Sequence, residues 1–596
     1  MIFNINKIAL TLILVSAFNS HSFGQMCVQN HAPNESYKWP THTNWFFGKG
    51  QVMNFGMYGD YSPSVNTLSG AGLPFTTYES CASASDENGN LLFYSNGVRI
   101  WDGQGSEIVV PDNGGRLKTG AENATGDAGS ALQGILIVKH PLRPGEYYIF
   151  TTDDAIGGTN GITYGFNYYV YNKSTNTISG ATRLGTYRTT EQVAATWHNN
   201  GTDIWIVTHE STPGAPTSNY KAYLLNCNGL NSTPVTSSAG FTINLYSGFD
   251  GYSNERASLQ FAETLPSARN VTAAATHHCG GGTWKPDEAV AILNFDNYNG
   301  EFTLTRYLSR NTVADSNPWD CEFSPDGSKL FVTFQSDQWS GPLLGRVGYY
   351  DVSGSSYNLL GSTTGTRDIG ILKLGGDGKI YAGGFEKSPW SYLDSVTVIS
   401  NPNGTPAITT KSLSTQTNST GYGLPNMFIP PLEPLEIQNP GALTLCDLPY
   451  NFETFSNCQS SNAENKEYYE NAYSTLSAQS TIDPVTGVFN TTVQGTHQIA
   501  FTLCENADTL IFEVTSCAVG IPSINNNNKL TFPNPVKNTV HLSSTFDAVK
   551  LYSENGKLIK TADNTDVLDV KHIKSGLYLV KVVKDGKEQS QRIVIE

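Results

Sequence analysis

His277, His278 and Cys279 stand side by side and are followed by Gly280 to Gly282. Imidazole and thiolate are metal ligands by type. Neighbouring residues on a strand point to opposite faces, so His277 and Cys279 can share a side that His278 does not. A tetrahedral centre needs further ligands, and no C-x-x-C or H-E-x-x-H occurs, so neither a metal site nor a cofactor is expected. His209 and Glu210 end the run DIWIVTHE. A histidine beside a carboxylate can act as an acid/base pair, and the same dipeptide also suits a structural hydrogen bond. His198 precedes the turn Asn199-Asn200-Gly201. If the chain is a hydrolase or lyase, His198, His209, Glu210 and His278 are the residues to test. Asp86, Asn88 and Asn90 have the spacing of a calcium loop, but Leu91 stands where that loop requires glycine, so a hairpin turn is expected. Asp326-Gly327 and Asp377-Gly378 read as turns, and there is no G-x-S-x-G or phosphate loop. All nine tryptophans precede residue 391. Trp101, Trp197, Trp284, Trp319, Trp339 and Trp390 fall near expected turns or strand ends. On one rim they would stack on sugar rings or peptide; otherwise they pack blades.

Composition limits what can position these groups. Of 596 residues, 15% are charged and 11% aromatic, with 57 glycines and 30 tyrosines. A coiled coil needs far more Ala, Glu, Lys and Leu, and a disordered chain fewer aromatics. The net charge of −16 speaks against a nucleic-acid binder. The charge is uneven: residues 529–596 hold 11 Lys/Arg against 8 Asp/Glu, net +3, leaving 25 against 44, net −19, for the rest. A basic tail on an acidic body points to a separate task for the tail.

From about Asn44 to Pro431, short β-rich runs recur around Asn-Gly or Asp-Gly turns. The units are SDENGNLLFYSNGVRIWD; GILIVKH with EYYIFTT; VAATWHNNGTDIWIVTHE with KAYLLN; EAVAILNFD; WDCEFSPDGSKLFVTF with RVGYYDV; and DIGILKLGGDGKIYAGG with SVTVIS. Asn88-Gly89 and Asn96-Gly97 are read as type I′ hairpins. A spacing of roughly 35–60 residues without helical periodicity fits propeller blades. Six units are visible. NWFFGKGQVMNF pairing with GLPNMF in a closing blade would make seven. The competing architecture is a row of β-sandwiches. The fold class is therefore all-β: a six- or seven-bladed β-propeller, an Ig-like β-sandwich and a small C-terminal β-sandwich.

WFFG, NGNLLFYSNGVRIWD, NGTDIWIVTHE, EFSPDGSKLFVTF, LGGDGKIYAGG and YGLPN, in that order, resemble the blade motifs of secreted Bacteroidota proteins labelled gliding-motility-associated, with a WD-repeat-like propeller. The resemblance covers about 390 residues and implies an architecture, not a reaction.

Pro430-Pro431 and Pro434 mark a linker, and residues 432–518 form a separate β block. Cys446 with Cys504, or Cys458 with Cys517, would give an inter-sheet bridge; Cys504 with Cys517 across a hairpin competes. The block resembles bacterial Ig-like spacers, without their strand-C tryptophan. Four consecutive asparagines make 519–528 a linker. In 529–596, Asn555-Gly556 and Asp585-Gly586 are hairpin turns. Pro533, Asn534 and Pro535, the hairpin at Gly556, and Gly576 with Leu577 and Tyr578 resemble the type A C-terminal sorting domain of the type IX secretion system. That resemblance implies recognition by the secretion machinery, removal of the tail, and attachment to surface lipopolysaccharide or release.

Residues 1–24 read as a signal peptide: Lys7, an apolar run Ile8–Phe18, and Ser22 and Gly24 before a cut at Gln25. The propeller then spans 25–431. No other run is long enough to span a membrane. Nine cysteines suit an oxidising compartment. The expected function is an exported surface or extracellular protein whose propeller binds a polysaccharide or protein ligand. The alternatives are a propeller-fold polysaccharide lyase or glycoside hydrolase, and a structural part of an adhesion or gliding apparatus.

Overall fold

The computed structural model describes residues 35–56, 63–67, 75–119, 128–141, 143, 145–153, 164–200, 203–211, 216–243, 256, 258–263, 269–277, 290–309, 316–336, 345–362, 367–387, 390–413, 421–430, 440–452, 473–484, 487–503, 506–517 and 534–596. They fall into two compact units, one within 1–441, 449–492 and 496–512, the other within 442–448, 493–495 and 513–596.

In the first unit, seven consecutive small sheets follow one another, each starting at its inner strand. Blade 1 is Asn44–Phe47, Gln51–Asn54 and Ser64–Thr67; blade 2 is Ala82–Ser85, Leu91–Ser95 and Ile100–Asp102. Blade 3 is built on Ile135–Lys139, Glu146–Thr151 and Phe166–Asn172, and blade 4 on Arg188–Trp197, Ile204–Ser211 and Thr217–Asn226. Blade 5 is Leu259–Phe261, Val271–Thr276, Val290–Asp296 and Glu301–Leu308. Blade 6 is Ser316–Phe323, Lys329–Ser336, Arg346–Asp351 and Tyr357–Ser362; blade 7 starts with Arg367–Leu374 and Ile380–Lys387. Each inner strand packs on the next from blade 1 to blade 7. Tyr381 of blade 7 meets Trp45 and Phe55 of blade 1 edge-on and completes the ring. This is a β-propeller, in which radial repetition protects sheet edges.

Blade 1 forms without GLPNMF: Asn44–Phe47 pairs with Gln51–Asn54. Met427 and Phe428 lie instead parallel to Ile137 and Val138 of blade 3. Tyr422 N–H bonds to the Tyr78 carbonyl (2.9 Å), Ile371 N–H to the Tyr422 carbonyl (3.0 Å), and Asn426 N–H to the Cys81 carbonyl (2.9 Å). The YGLPNMF segment therefore runs along the inner strands and ties blades 2, 3 and 7 together, rather than adding to blade 1.

The turn chemistry also differs from expectation. Only Gly89 takes positive φ (74°) in the first hairpin, with Gly89 N–H bonded to the Asp86 carbonyl at 2.9 Å. This is a type I turn closed by a left-handed glycine, and Asp86 Oδ1 holds the N–H groups of Asn88 and Asn90. Asp585-Gly586, with both φ positive (52° and 72°), has the I′ form.

Around 440–517, Val488–Thr491 lies between Tyr450–Asn451 and Ser480–Ile482. Phe452, Phe489, Phe512 and His497 fill the space beside them. In the second unit, Leu443–Thr444 runs parallel to Val514–Thr515. The disulfide there joins Cys446 to Cys517, which is none of the expected pairs. Pairing of those two strands brings the cysteines just beyond them within bonding range, a register that spacing alone does not reveal. Cys458 and Cys504 lie outside the described residues.

Residues 534–596 form a four-stranded antiparallel sheet in the order Leu558–Asp569, Thr539–Ser553, Gly576–Lys584, Lys587–Ile595. Val549, Leu551, Val580, Val582 and Ile593 are fully buried in its core. Asn534 Oδ1 caps the Val594 N–H at 2.8 Å, and the Asn534–Pro535 bond is cis. Gly556 (φ 79°) closes its hairpin, and Gly576 opens the third strand. Pro533, residues 1–24 and 519–528 lie outside the described residues.

Candidate functional site

Bulges shape the inner strands. Pairing with the second strand slips between Thr189 and Val193, between Pro318 and Cys321, and between Ile369 and Leu372. An inner strand also has no neighbour on its channel side, so N–H groups along that edge lack ladder partners, and buried N–H groups must find acceptors. Carboxylates from neighbouring blades supply them. Asp320 Oδ2 takes the Leu372 N–H at 2.6 Å, and Glu322 Oε2 the Leu374 N–H at 3.2 Å. Glu191 Oε2 takes the Leu132 N–H at 3.0 Å. Burial pushes Asp320 up to about 6 and Glu322 up to about 7, and Lys373 partly opposes both shifts.

Where the inner strands of blades 4 to 7 end, a cavity opens, with an empty volume of ≈ 780 Å³ including its mouth. Six of the seven inner strands reach it, through Trp45, Leu136, Trp197, Phe261, Glu322 and Lys373. Ala194 and Ala195 leave room, and Asn426 to Phe428 close one side. The 3-10 turns Ser36–Lys38 and Pro40–His42 cover part of the mouth. Ser36 binds Glu263 through its backbone N–H (3.2 Å) and its hydroxyl. The Ile429 N–H donates to His42 Nε2 at 3.0 Å, and burial holds that imidazole well below its ordinary range, at about 3. Burial also raises the Glu263 carboxyl.

Two of the residues lining this cavity carry donors that find no partner among the described residues. The indole N–H of Trp197, a residue only 6% exposed, has no hydrogen-bond partner. Lys373 makes no ion pair among the described residues, although Glu322 and Glu263 both feel its charge. The Trp197 ring meets Phe428 and Trp39 edge-on at 5.4 and 6.0 Å. Carboxyls, an ammonium and aromatic walls therefore converge, the composition of a small-molecule pocket.

The other expected residues are dispersed. His209 is buried, with Nδ1 2.7 Å from the Glu210 carbonyl and its ring edge-on to Tyr220. Burial holds it at about 4, mostly neutral above that pH. The Glu210 carboxylate turns instead to Lys221 (3.0 Å) and Asn219 (3.2 Å). The two side chains thus do not meet as an acid/base pair. His198 Nδ1 accepts the Asn200 N–H at 3.0 Å and lies beside Trp205. His277 stacks on Phe241. His278, Cys279, Trp284 and Trp339 lie outside the described residues. Trp101 is buried, stacked on Tyr94 and edge-on to Phe75. Trp319 is buried in blade 6, and Trp390 begins a short strand paired with blade 7. Trp101, Trp197 and Trp319 occupy three different blades and share no exposed rim. Among the described residues, no group of three or more His, Cys, Asp or Glu is placed to hold a metal ion.

Residues 530–596 match the family described as the secretion system C-terminal sorting domain. No curated protein matches the chain. Among solved structures, the chain is similar to a protein assigned as a 6-phosphogluconolactonase from Bacteroides uniformis, at 12% identity over 62% of this chain and 97% of that one, TM-score 0.34. It is also similar to Sqt1 of Saccharomyces cerevisiae, at 12% identity over 84% and 98%, TM-score 0.30. A third is exo-beta-1,3-galactanase from Phanerochaete chrysosporium, at 11% identity over 82% and 98%, TM-score 0.28. At such scores these likenesses carry no argument, and the propeller rests on its own strand order. No helix among the described residues is long and apolar enough to cross a membrane. The chain ends in a secretion-system sorting domain and is exported by the type IX secretion system to the cell surface or the extracellular medium.

Proposed function

We propose that this exported protein is a glycan-binding surface protein whose propeller holds a sugar unit in the cavity at the end of its channel. One observation carries the reading: Trp197, whose buried indole N–H has no hydrogen-bond partner among the described residues, and Lys373, which makes no ion pair among them, line a cavity that Glu263 and Glu322 also line. Sugar hydroxyls both donate and accept, so they satisfy carboxyls and ammonium together, while the C–H faces of a ring suit aromatic walls. The ordered blade motifs support kinship with the gliding-motility-associated propellers. Residues 432–518 serve as an Ig-like spacer, and the tail directs export before surface attachment through lipopolysaccharide or release.

The test is a panel of soluble neutral and acidic glycans applied to the mature secreted protein, reading binding and product release in the same wells. Saturable binding without new reducing ends or unsaturated products supports the reading. Turnover would replace it with the enzyme alternative, and no binding to any glycan would remove it.

A further inference from the structure

At the opposite end of the channel, where the inner strands begin, Arg256 precedes the inner strand of blade 5. It is 9% exposed, and its guanidinium lies over the Trp319 ring of blade 6, 5.4 Å from the centroid. That stacking is its one interaction among the described residues. A buried guanidinium carries five donors in a rigid fork, and stacking on a ring face leaves the edge of the fork free. Buried charges are ordinarily paired, and among the described residues Arg256 has no anionic partner.

A second group without a partner among the described residues belongs to the network around Ser258, two residues along the chain. Gln192 Nε2 donates to the carbonyls of Ser258 and Thr276, both at 3.3 Å. Thr276 Oγ1 in turn donates to the Trp319 carbonyl at 3.2 Å. Gln192 Oε1, on a residue 2% exposed, has no partner. The blade 5–6 junction thus presents a planar cationic fork, and the amide oxygen of Gln192 lies buried behind it.

We propose that Arg256 is the anion-recognition residue of a second site, and that the site takes a carboxylate-bearing sugar, a uronic acid unit. The fork matches a planar carboxylate in two parallel hydrogen bonds. With a net charge of −16, broad electrostatic capture of a polyanion is disfavoured. Selectivity therefore rests on this one short-range pair. The choice of a sugar rests on the glycan reading above; the choice of a carboxylate rests on Arg256 alone.

The test is calorimetric titration of the mature full-length protein with trigalacturonate, its trimethyl ester, a neutral trisaccharide and a sulfated dextran. The acid should bind at least tenfold more tightly than the ester. Arg256→Lys keeps the charge but loses the fork, and should weaken the acid tenfold or more without changing the melting temperature or neutral-sugar binding. Equal affinity for acid and ester, preference for the sulfated polymer, or an unaffected Arg256→Lys variant would each overturn the proposal. If the variant does not melt cooperatively, the acid–ester comparison on the wild type decides alone. Neutral-sugar binding without acid preference defeats this site and leaves the glycan reading standing.

Discussion

The carboxylate of Asp320 in blade 6 accepts the backbone N–H of Leu372 in blade 7 at 2.6 Å. Ser258 of blade 5 also bonds to it, so one side chain joins three blades. The acid is spent on the ring, where the open edge of an inner strand would otherwise leave this N–H buried and unmet. Asp320→Ala should cost about 2–4 kcal/mol, because a buried donor loses its charged acceptor. Urea unfolding followed by tryptophan fluorescence checks this, and a loss below about 0.5 kcal/mol would contradict the structural role.

Glu322 makes stability pH-dependent in an unusual direction. Its folded carboxyl titrates at about 7, above its ordinary value, chiefly through burial. The folded state therefore holds a proton that the unfolded chain has released. The contribution is full below the unfolded value and is lost as pH rises to about 7, which amounts to a few kcal/mol. Glu322→Gln should flatten the melting temperature between pH 5 and pH 7. An identical pH slope in variant and wild type would refute the assignment.

The Cys446–Cys517 bridge closes 71 residues of sequence separation. A bridge of this span stabilises by roughly 2–4 kcal/mol. Cys446→Ser should lower the unfolding midpoint of the region it spans and leave the propeller transition in place. Calorimetry that resolves the two transitions tests this; a shift in the propeller transition alone would contradict it.

Removal of residues 529–596 should retain the chain inside the outer membrane, because the sorting domain is the export address. Fractionation and immunoblotting give the answer. Wild-type surface levels of the truncated protein would show that export does not depend on the tail.

Local features were the legible ones. Alternating strands and Gly turns mark blades 2 to 7, because a hairpin is specified by residues a few positions apart. Blade 1 was legible as strands but not in its partner. The Met427–Ile137 pairing is a two-residue parallel contact across the chain with no local signal. Turn type also depends on more than the dipeptide: Asn88-Gly89 and Asp585-Gly586 look alike, yet only the second has both residues at positive φ. Within the cavity, Trp197 was among the expected ligand-binding residues, whereas Lys373 and Glu322 were not. Lys373 stands as the one charge in ILKL, and Glu322 shares WDCEF with Asp320; charges within otherwise apolar inner strands are the signal that could have found them. They meet only when the ring closes, which no spacing along the chain reports.

On the proposed function, the channel-end cavity binds a sugar. The most direct measurement of this is titration of the mature protein with its best-binding neutral oligosaccharide, comparing wild type, Trp197→Phe and Lys373→Met. Phenylalanine keeps the ring and removes only the indole N–H, at a cost of about 1–2 kcal/mol in binding, roughly tenfold. Both variants should weaken binding by about that factor at an unchanged melting temperature. Affinity unaltered in both, with saturable binding in the wild type, would place the sugar elsewhere and contradict the account.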